Sequence, residues 1–126
     1  MLSSGSGYHD QDLGSTILYS GTASKSSTPT ENTAHLLQSI ELRTAVRVLR
    51  SHQLPASNPY RPTSGLRYDG LYTVTGCERD EGAKALHRFR LVRCAGQEPI
   101  RCVGNAERPT VFEEQAWRKL RERMKW

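Results

Sequence analysis

The stretch GLRYDGLYTV, Gly65 to Val74, joins two kinds of sequence. Ahead of it, His52 to Leu66 carries prolines and serines and has no hydrophobic period. It reads as a crossing loop, with Tyr60 packing it. Behind it, Leu71 to Arg79 (LYTVTGCER) is rich in β-branched and aromatic residues and reads as a strand. Tyr68-Asp69-Gly70, at the junction, reads as a turn into that strand. Asp69 is expected to cap backbone N–H groups and Gly70 to supply backbone freedom.

Working outward, Asp80 to Lys84 (DEGAK) supplies a turn, and Leu86 to Cys94 (LHRFRLVRC) a second strand, so the pair should form a hairpin. A period of two turns Phe89 and Leu91 inward and Arg88 and Arg90 outward, which leaves a basic outer face. Cys94 is expected to pack within that strand. Upstream, Ala45 to Ser51 (AVRVLRS) alternates as a strand, with Val46 and Val48 on one face and Arg47 on the other. Asn32 to Ile40 places Leu36, Leu37 and Ile40 at helical spacing and predicts a short amphipathic helix. Thr22 to Thr30 (TASKSSTPT) is a polar connection, and Thr16 to Tyr19 a short strand after a Gly/Ser/Asp loop.

The tail predicts a second helix. Thr110 precedes Glu113 by three residues, a capping-box pattern. Phe112, Ala116, Leu120 and Met124 recur at four-residue steps with Trp117 beside them, giving one apolar stripe. The basic residues Arg118, Lys119, Arg121, Arg123 and Lys125 suit the negative end of the helix and read as a solvated face.

The whole chain has 126 residues, enough for one domain with a modest core. Eighteen Lys and Arg stand against thirteen acids, for a net charge of +5. This balance suggests a polyanion as partner, nucleic acid first and anionic membrane second. No window approaches the ~20 apolar residues that cross a bilayer, and no secretory signal opens the chain. Cys77, Cys94 and Cys102 are odd in number and lack CxxC spacing, which argues against a disulfide framework or a zinc site. They read as reduced intracellular thiols. Ser-His-Asp order, a phosphate loop and a metal cluster are all missing, so neither an enzyme nor a cofactor is expected. His9 reads as a solvated loop histidine.

Three segments in order carry a resemblance: AVRVLR (Ala45–Arg50) before a loop containing Pro59-Tyr60, YDG within GLRYDGLYTV, and FRLVRCAGQ from Phe89. Together they resemble the SRA-YDG (SET and RING associated) domain, a methylated-DNA reader with a PUA-like barrel. The segment SGYHDQDLGSTILYSGT, Ser6 to Thr22, is similar to that family's pocket segment, and Asn32 to Leu36 to the helix after it. The resemblance runs from Leu2 to Gly96 and covers the later part of the family domain. The family's first strands and leading helix have no counterpart, and Met1 falls inside the strand entering the pocket loop. The expected architecture is α+β: a partial PUA-like twisted barrel or sheet, a short helix after the pocket strand and a C-terminal amphipathic helix. Residues 1–108 form the domain and 109–126 a helix packing on it or extending it.

The resemblance implies base flipping of 5-methylcytosine out of double-stranded DNA. Unstacking costs a few kcal/mol, and two stacking aromatics return roughly 1–3 kcal/mol per base. Tyr8 and Tyr19 match the family's stacking pair. An ionised carboxylate is acceptor-only and would read the cytosine N4 amine. Asp10 matches the family's reader counting back from Gly14; the loop is one residue shorter than the usual pattern, so Asp12 stays open as the alternative. Backbone groups at Ser20 and Gly21 complete the edge, and Thr22 or Ser20 touches the methyl. Lys25, Arg47, Arg50, His52, Arg61 and Arg67 are candidates for phosphate contacts. Read without the resemblance, the Gly-Tyr-x-Asp-x-Asp loop could be an ordinary surface loop or a weak cation site.

Some family members carry a long basic finger after the pocket strand. Here residues 23–31 hold only Lys25, so a looser reading of methylcytosine in several contexts is expected. The resemblance further implies a nuclear, chromatin-linked setting, with chromatin proteins or other domains supplied in trans and no membrane partner. The alternative function is a truncated remnant acting as a protein-interaction module or as a methylation-indifferent DNA binder.

Overall fold

The computed structural model describes residues 1–3, 10–21, 31–80 and 86–124. Alternating segments become β1 (Gln11–Asp12), β2 (Thr16–Ser20), β3 (Ala45–Ser51), β4 (Leu66–Asp80) and β5 (Leu86–Arg93). They form one antiparallel sheet in the order β1-β2-β5-β4-β3. Two helices accompany it, α1 (Glu31–Leu42) and α2 (Val111–Arg123). The α+β expectation holds, and each predicted strand is present, although β4 begins five residues earlier than predicted and β5 stops one residue short of Cys94. The hairpin is present as the β4–β5 pair, closed at Asp80↔Leu86; its turn residues lie outside the described ones.

The inward faces of β2, β3, β4 and β5 supply Ile17, Val48, Tyr72, Val74, Phe89 and Leu91 to one core. Leu36, Leu37 and Ile40, the apolar side of α1, pack against it. Arg90 is exposed, as the period of two requires. Leu2 adds a short parallel bridge to the outer side of β3: its N–H donates to the Leu49 carbonyl at 2.8 Å and its carbonyl accepts from the Ser51 N–H at 2.9 Å.

The largest departure concerns β4. The strand begins at Leu66, so Tyr68-Asp69-Gly70 lies inside it and is not a turn. Pairing with β3 runs Arg47↔Leu71 and then Leu49↔Tyr68, so two steps on β3 oppose three on β4. This is a β-bulge, one residue too many on one strand. Gly70, at φ +104°, is the residue that permits it. The bulge resets the phase: Arg67 and Asp69 point inward before it, Tyr72 and Val74 after it. Asp69 therefore does not cap backbone N–H groups, because its carboxylate is aimed into the core.

The three cysteines are free and half-buried. Cys94 sits one residue beyond β5, its Sγ 3.3 Å from Thr73 Oγ1. The side chain of Gln97 clamps the exit of the sheet. Its Oε1 accepts from the Leu71 N–H at 2.8 Å, and its Nε2 donates to the Leu71 and Cys94 carbonyls, each at 2.9 Å.

The capping box of α2 is formed as predicted. Thr110 Oγ1 accepts from the Glu113 N–H at 3.2 Å, and Glu113 Oε1 accepts from the Thr110 N–H at 2.9 Å. These bonds and Arg108, 2.7 Å from the same oxygen, hold the Glu113 carboxyl below the usual carboxylate range.

Candidate nucleic-acid interface

The loop entering β2 is fixed from within. β1 and β2 form a tight hairpin, with Gln11 opposite Leu18 and Asp12 opposite Ile17. Inside it, the Leu13 N–H donates to the Thr16 carbonyl at 2.9 Å and the Gly14 N–H to Asp12 Oδ1 at 3.0 Å. The hairpin is held against the sheet by Arg50, a guanidinium with 0% exposure. Arg50 Nε and Nη2 grip Asp12 bidentately at 2.9 and 2.7 Å, Nη2 also reaches the Gly14 carbonyl at 3.0 Å, and Nη1 donates to Asp69 Oδ2 at 2.8 Å. The Tyr72 hydroxyl donates to the Gly14 carbonyl at 2.6 Å.

Asp69 in turn takes Arg67 Nε at 2.6 Å and Nη2 at 3.0 Å, and Arg67 also donates to the Tyr60 and Arg108 carbonyls. The Tyr60 ring lies 5.4 Å from the Arg50 guanidinium carbon, a cation–π contact. Alternating acid and base (Asp12, Arg50, Asp69, Arg67) thus run from the loop to the bulge with no net charge. Buried pairs of this kind are tolerable only when the remaining donors and acceptors are met. Among the described residues, no buried side-chain nitrogen or oxygen lacks a partner. Burial alone would raise the Asp12 carboxyl, but Arg50, Asn58 and the Gly14 N–H more than offset it and hold it below its ordinary value. At Arg50 burial would loosen the proton, but Asp12, Asp69 and the Tyr72 hydroxyl outweigh it and keep the proton on more firmly than usual.

These contacts correct three expectations. Arg50 and Arg67 are not phosphate contacts, since both guanidiniums are buried and committed to carboxylates. Asp12 is not free to read a base, since both its oxygens serve Arg50 and one also accepts from Asn58 Nδ2 at 3.1 Å.

Asp10 behaves differently. It is exposed, and its Oδ1 accepts from the Ser20 N–H at 2.8 Å, which carries the carboxylate to the end of β2. Tyr19 is the next residue back along that strand. Its half-buried phenol is pushed up by burial and then by the nearby Asp10 charge. Gly21 ends the strand against α1: a Cβ placed there would stand 2.6 Å from Thr33 Oγ1, so only glycine allows this approach. Asp10, Tyr19, Ser20 and Gly21 are therefore brought together. Tyr8, Thr22 and Lys25 lie outside the described residues.

A cavity of about 330 Å³ opens between α1, β2 and β3, with Tyr19, Gly21, Thr33, Leu36 and Arg47 in its wall. Asp10 is not part of that wall; Tyr19 and Gly21 are the residues the two features share. Arg47 is exposed at the cavity. His52 is exposed with Nδ1 3.3 Å from the Gly65 carbonyl, and Arg61 donates to the His52 carbonyl at 3.1 Å.

Sequence reasoning missed the buried charges. One signal was available: Arg50 shares the parity of Val46 and Val48 on β3 and must share their inward face.

The model for the SAD/SRA domain matches residues 1–97. E3 ubiquitin-protein ligase ORTHRUS 2 of Arabidopsis thaliana is 32% identical over 118 residues, covering 79% of this chain and 18% of the relative. E3 ubiquitin-protein ligase ORTHRUS 5 of the same plant is 42% identical over 52 residues, 39% of this chain and 8% of that one. Among solved structures, the SUVH5 SRA domain in complex with fully methylated CG DNA superposes with a TM-score of 0.59 at 27% identity, covering 79% of this chain and 66% of that one. The modification-dependent restriction endonuclease TagI superposes with a TM-score of 0.56 at 26% identity, covering 88% of this chain and 44% of that one. The chain thus spans less than a fifth of ORTHRUS 2 and just under two thirds of the SUVH5 domain. With a family model covering most of its length, and the same sheet found in domains crystallised on modified DNA, the chain belongs to the SAD/SRA domain family.

Proposed function

We propose that this chain reads 5-methylcytosine in double-stranded DNA by taking the base out of the duplex, and that it is a binding module and not an enzyme. The observation that carries this reading is the carboxylate of Asp10, tied to the Ser20 N–H beside Tyr19 and exposed to an incoming ligand. A cytosine ring stacked on the Tyr19 phenol would turn its exocyclic amine toward that acceptor. Uracil or thymine would oppose the carboxylate with an oxygen and be rejected. Backbone groups at Ser20 and Gly21 complete the edge, with Tyr8 as the second stacking ring and Thr22 at the methyl. Arg47, at the cavity, contacts phosphate; His52, Arg61 and Lys25 are secondary phosphate candidates. The solved relatives supply the context, since the SUVH5 SRA domain was crystallised with fully methylated and with hydroxymethylated CG DNA. A nuclear setting follows from a DNA ligand, with chromatin proteins or further domains as partners.

The test is a fluorescence titration with duplexes carrying methylated, hydroxymethylated or plain cytosine, with 2-aminopurine beside the target as a reporter of unstacking. One added carbon in a pocket is worth roughly 1–3 kcal/mol, so methylated DNA should bind about 5- to 150-fold more tightly than plain DNA. Asp10→Asn and Tyr19→Ala should abolish both the preference and the 2-aminopurine signal. Equal affinity for all three duplexes, unchanged by either substitution, would refute the proposal.

A further inference from the structure

Strand β4 outruns one of its neighbours. β3 pairs with it back to Leu66, but β5 pairs with it only from Tyr72 to Asp80, so Leu66 to Leu71 have a strand on one side alone. Along that edge two side chains stand in for a strand. Gln97 takes the N–H and the carbonyl of Leu71, and Arg93 Nε donates to the Asp69 carbonyl at 3.0 Å. Beyond them a cleft of about 500 Å³ opens between this edge and the chain from Gln97 to Glu113, room enough for a short peptide. Gly70 lines it. A Cβ there would stand 3.1 Å from Arg93 Nη2, so the glycine leaves space for the guanidinium.

The charges in the cleft select the ligand. Phe89 and Leu91 face the core, and the period of two turns Arg93 the same way, half-buried. The other arginines of the cleft are spoken for: Arg67 by Asp69, Arg101 by Glu98 and Arg108 by Glu113. Among the described residues Arg93 has no ion-pair partner, and Nε is the nitrogen it has engaged. A half-buried cation without an anion is poorly compensated, and its two terminal nitrogens fit a carboxylate fork on fork. One spare positive charge, with Glu98 and Glu113 close by, favours a single carboxylate over a phosphate polymer. Leu66 and Tyr68 are exposed on the same wall and give apolar footing to the residues beside that carboxylate. The open strand edge suits an extended chain. We propose that this cleft binds an extended peptide through one carboxylate, seated on Arg93. It lies toward the other end of the sheet from Asp10: Ser20 pairs with Arg88, five residues along β5 from Arg93, or about 16 Å. The two sites can be filled together, and the peptide site does not depend on how DNA is read.

An NMR titration of the isotope-labelled full chain tests this, following the Arg93 Nε–H and the Gln97 side-chain amide. The probes are acetyl-Phe-Glu-Leu-amide, its Gln counterpart, the Gln peptide with a free C-terminal carboxylate, acetate and inorganic phosphate. The Glu peptide should shift both signals saturably and bind at least tenfold more tightly than the Gln amide. Arg93→Lys, which keeps the charge and loses the fork, should weaken it, and Arg93→Gln should reduce it to the level of the Gln amide. The comparison of Glu and Gln peptides is made on the unaltered chain, so it stands even where a variant unfolds. If the free-ended Gln peptide binds as tightly as the Glu peptide, the site takes a chain end; if it binds more weakly, the site takes an acidic side chain. Equal binding of the Glu peptide and the Gln amide, acetate or phosphate binding as tightly as the Glu peptide, or plain duplex DNA shifting the Arg93 signal at a lower concentration would overturn the proposal.

Discussion

Replacing Arg50 with methionine should cost this domain a large part of its stability. The change keeps much of the side-chain volume and removes the guanidinium that joins Asp12, Asp69, the Gly14 carbonyl and the Tyr72 hydroxyl. Asp69 would keep Arg67, and Asp12 would keep Asn58 and the Gly14 N–H. The loss is therefore that of one buried ion pair, not two: about 3–5 kcal/mol. Against a total of about 5–15 kcal/mol this is decisive, and in a domain of this size it lowers the melting temperature by about 10–20 °C. Urea and thermal melts followed by far-UV circular dichroism measure it. Tryptophan fluorescence is the poorer probe, since Trp117 is already exposed in the native state. The pH dependence supplies an independent check. In the wild type the Asp12 carboxyl is held below its ordinary 3.8, so its contribution is fully present above that value and is lost as pH falls through the lower folded value. Without Arg50, the groups that do most to lower Asp12 are gone while burial still pushes its carboxyl up. The variant therefore loses less stability than the wild type as pH falls, and its deficit narrows below about pH 4. A loss no larger than that of Arg118→Ala on exposed α2, or a deficit constant with pH, would refute the reasoning.

Gly70→Ala places a side chain on a backbone at φ +104° and its Cβ 2.5 Å from Gln97 Oε1, so it should destabilise by about 1–3 kcal/mol in the same melts. Thr110→Ala removes one arm of the capping box, worth about 0.5–2 kcal/mol to the helix. Because α2 buries no side chain, far-UV helicity should fall while the main melting transition stays put. Arg47→Ala should weaken DNA binding by a similar factor for methylated and plain duplexes and lower the slope of log affinity against log salt by about one. A changed methyl preference would instead place Arg47 at the base.

The elements were legible because each announces itself locally. Leu36, Leu37 and Ile40 keep helical spacing, Phe89 and Leu91 alternate with arginines, and Thr110 and Glu113 form their box within one turn. The role of Tyr68-Asp69-Gly70 was not legible. A β-bulge is a relation between two strands, and the extra residue on β4 shows only when β3 is laid beside it. Arg50 was half legible. Parity on β3 turns it inward with Val46 and Val48, but an inward arginine makes sense only once its acids are known. Those acids lie 38 residues upstream, at Asp12, and 19 downstream, at Asp69. At the site, Asp10 and Asp12 differ by two positions in a short loop, and composition gives no reason to separate them. The fold separates them by which one Arg50 can reach.

That division bears on how an acidic loop can approach a polyanion. Two carboxylates facing DNA would repel it, and the chain's net charge of +5 would not help locally, because charges farther than about 8–10 Å apart are screened at physiological salt. Asp12 presents no such problem, since its charge is cancelled inside the sheet by Arg50. Among the described residues Asp10 has no ion-pair partner, and its carboxylate accepts from the Ser20 N–H. A carboxylate is poorly suited to the phosphate backbone and well suited to a neutral donor such as an exocyclic amine. The buried chain of charges from Asp12 to Arg67 therefore does two things at once. It fixes the hairpin that carries Asp10, and it cancels the Asp12 charge within the sheet.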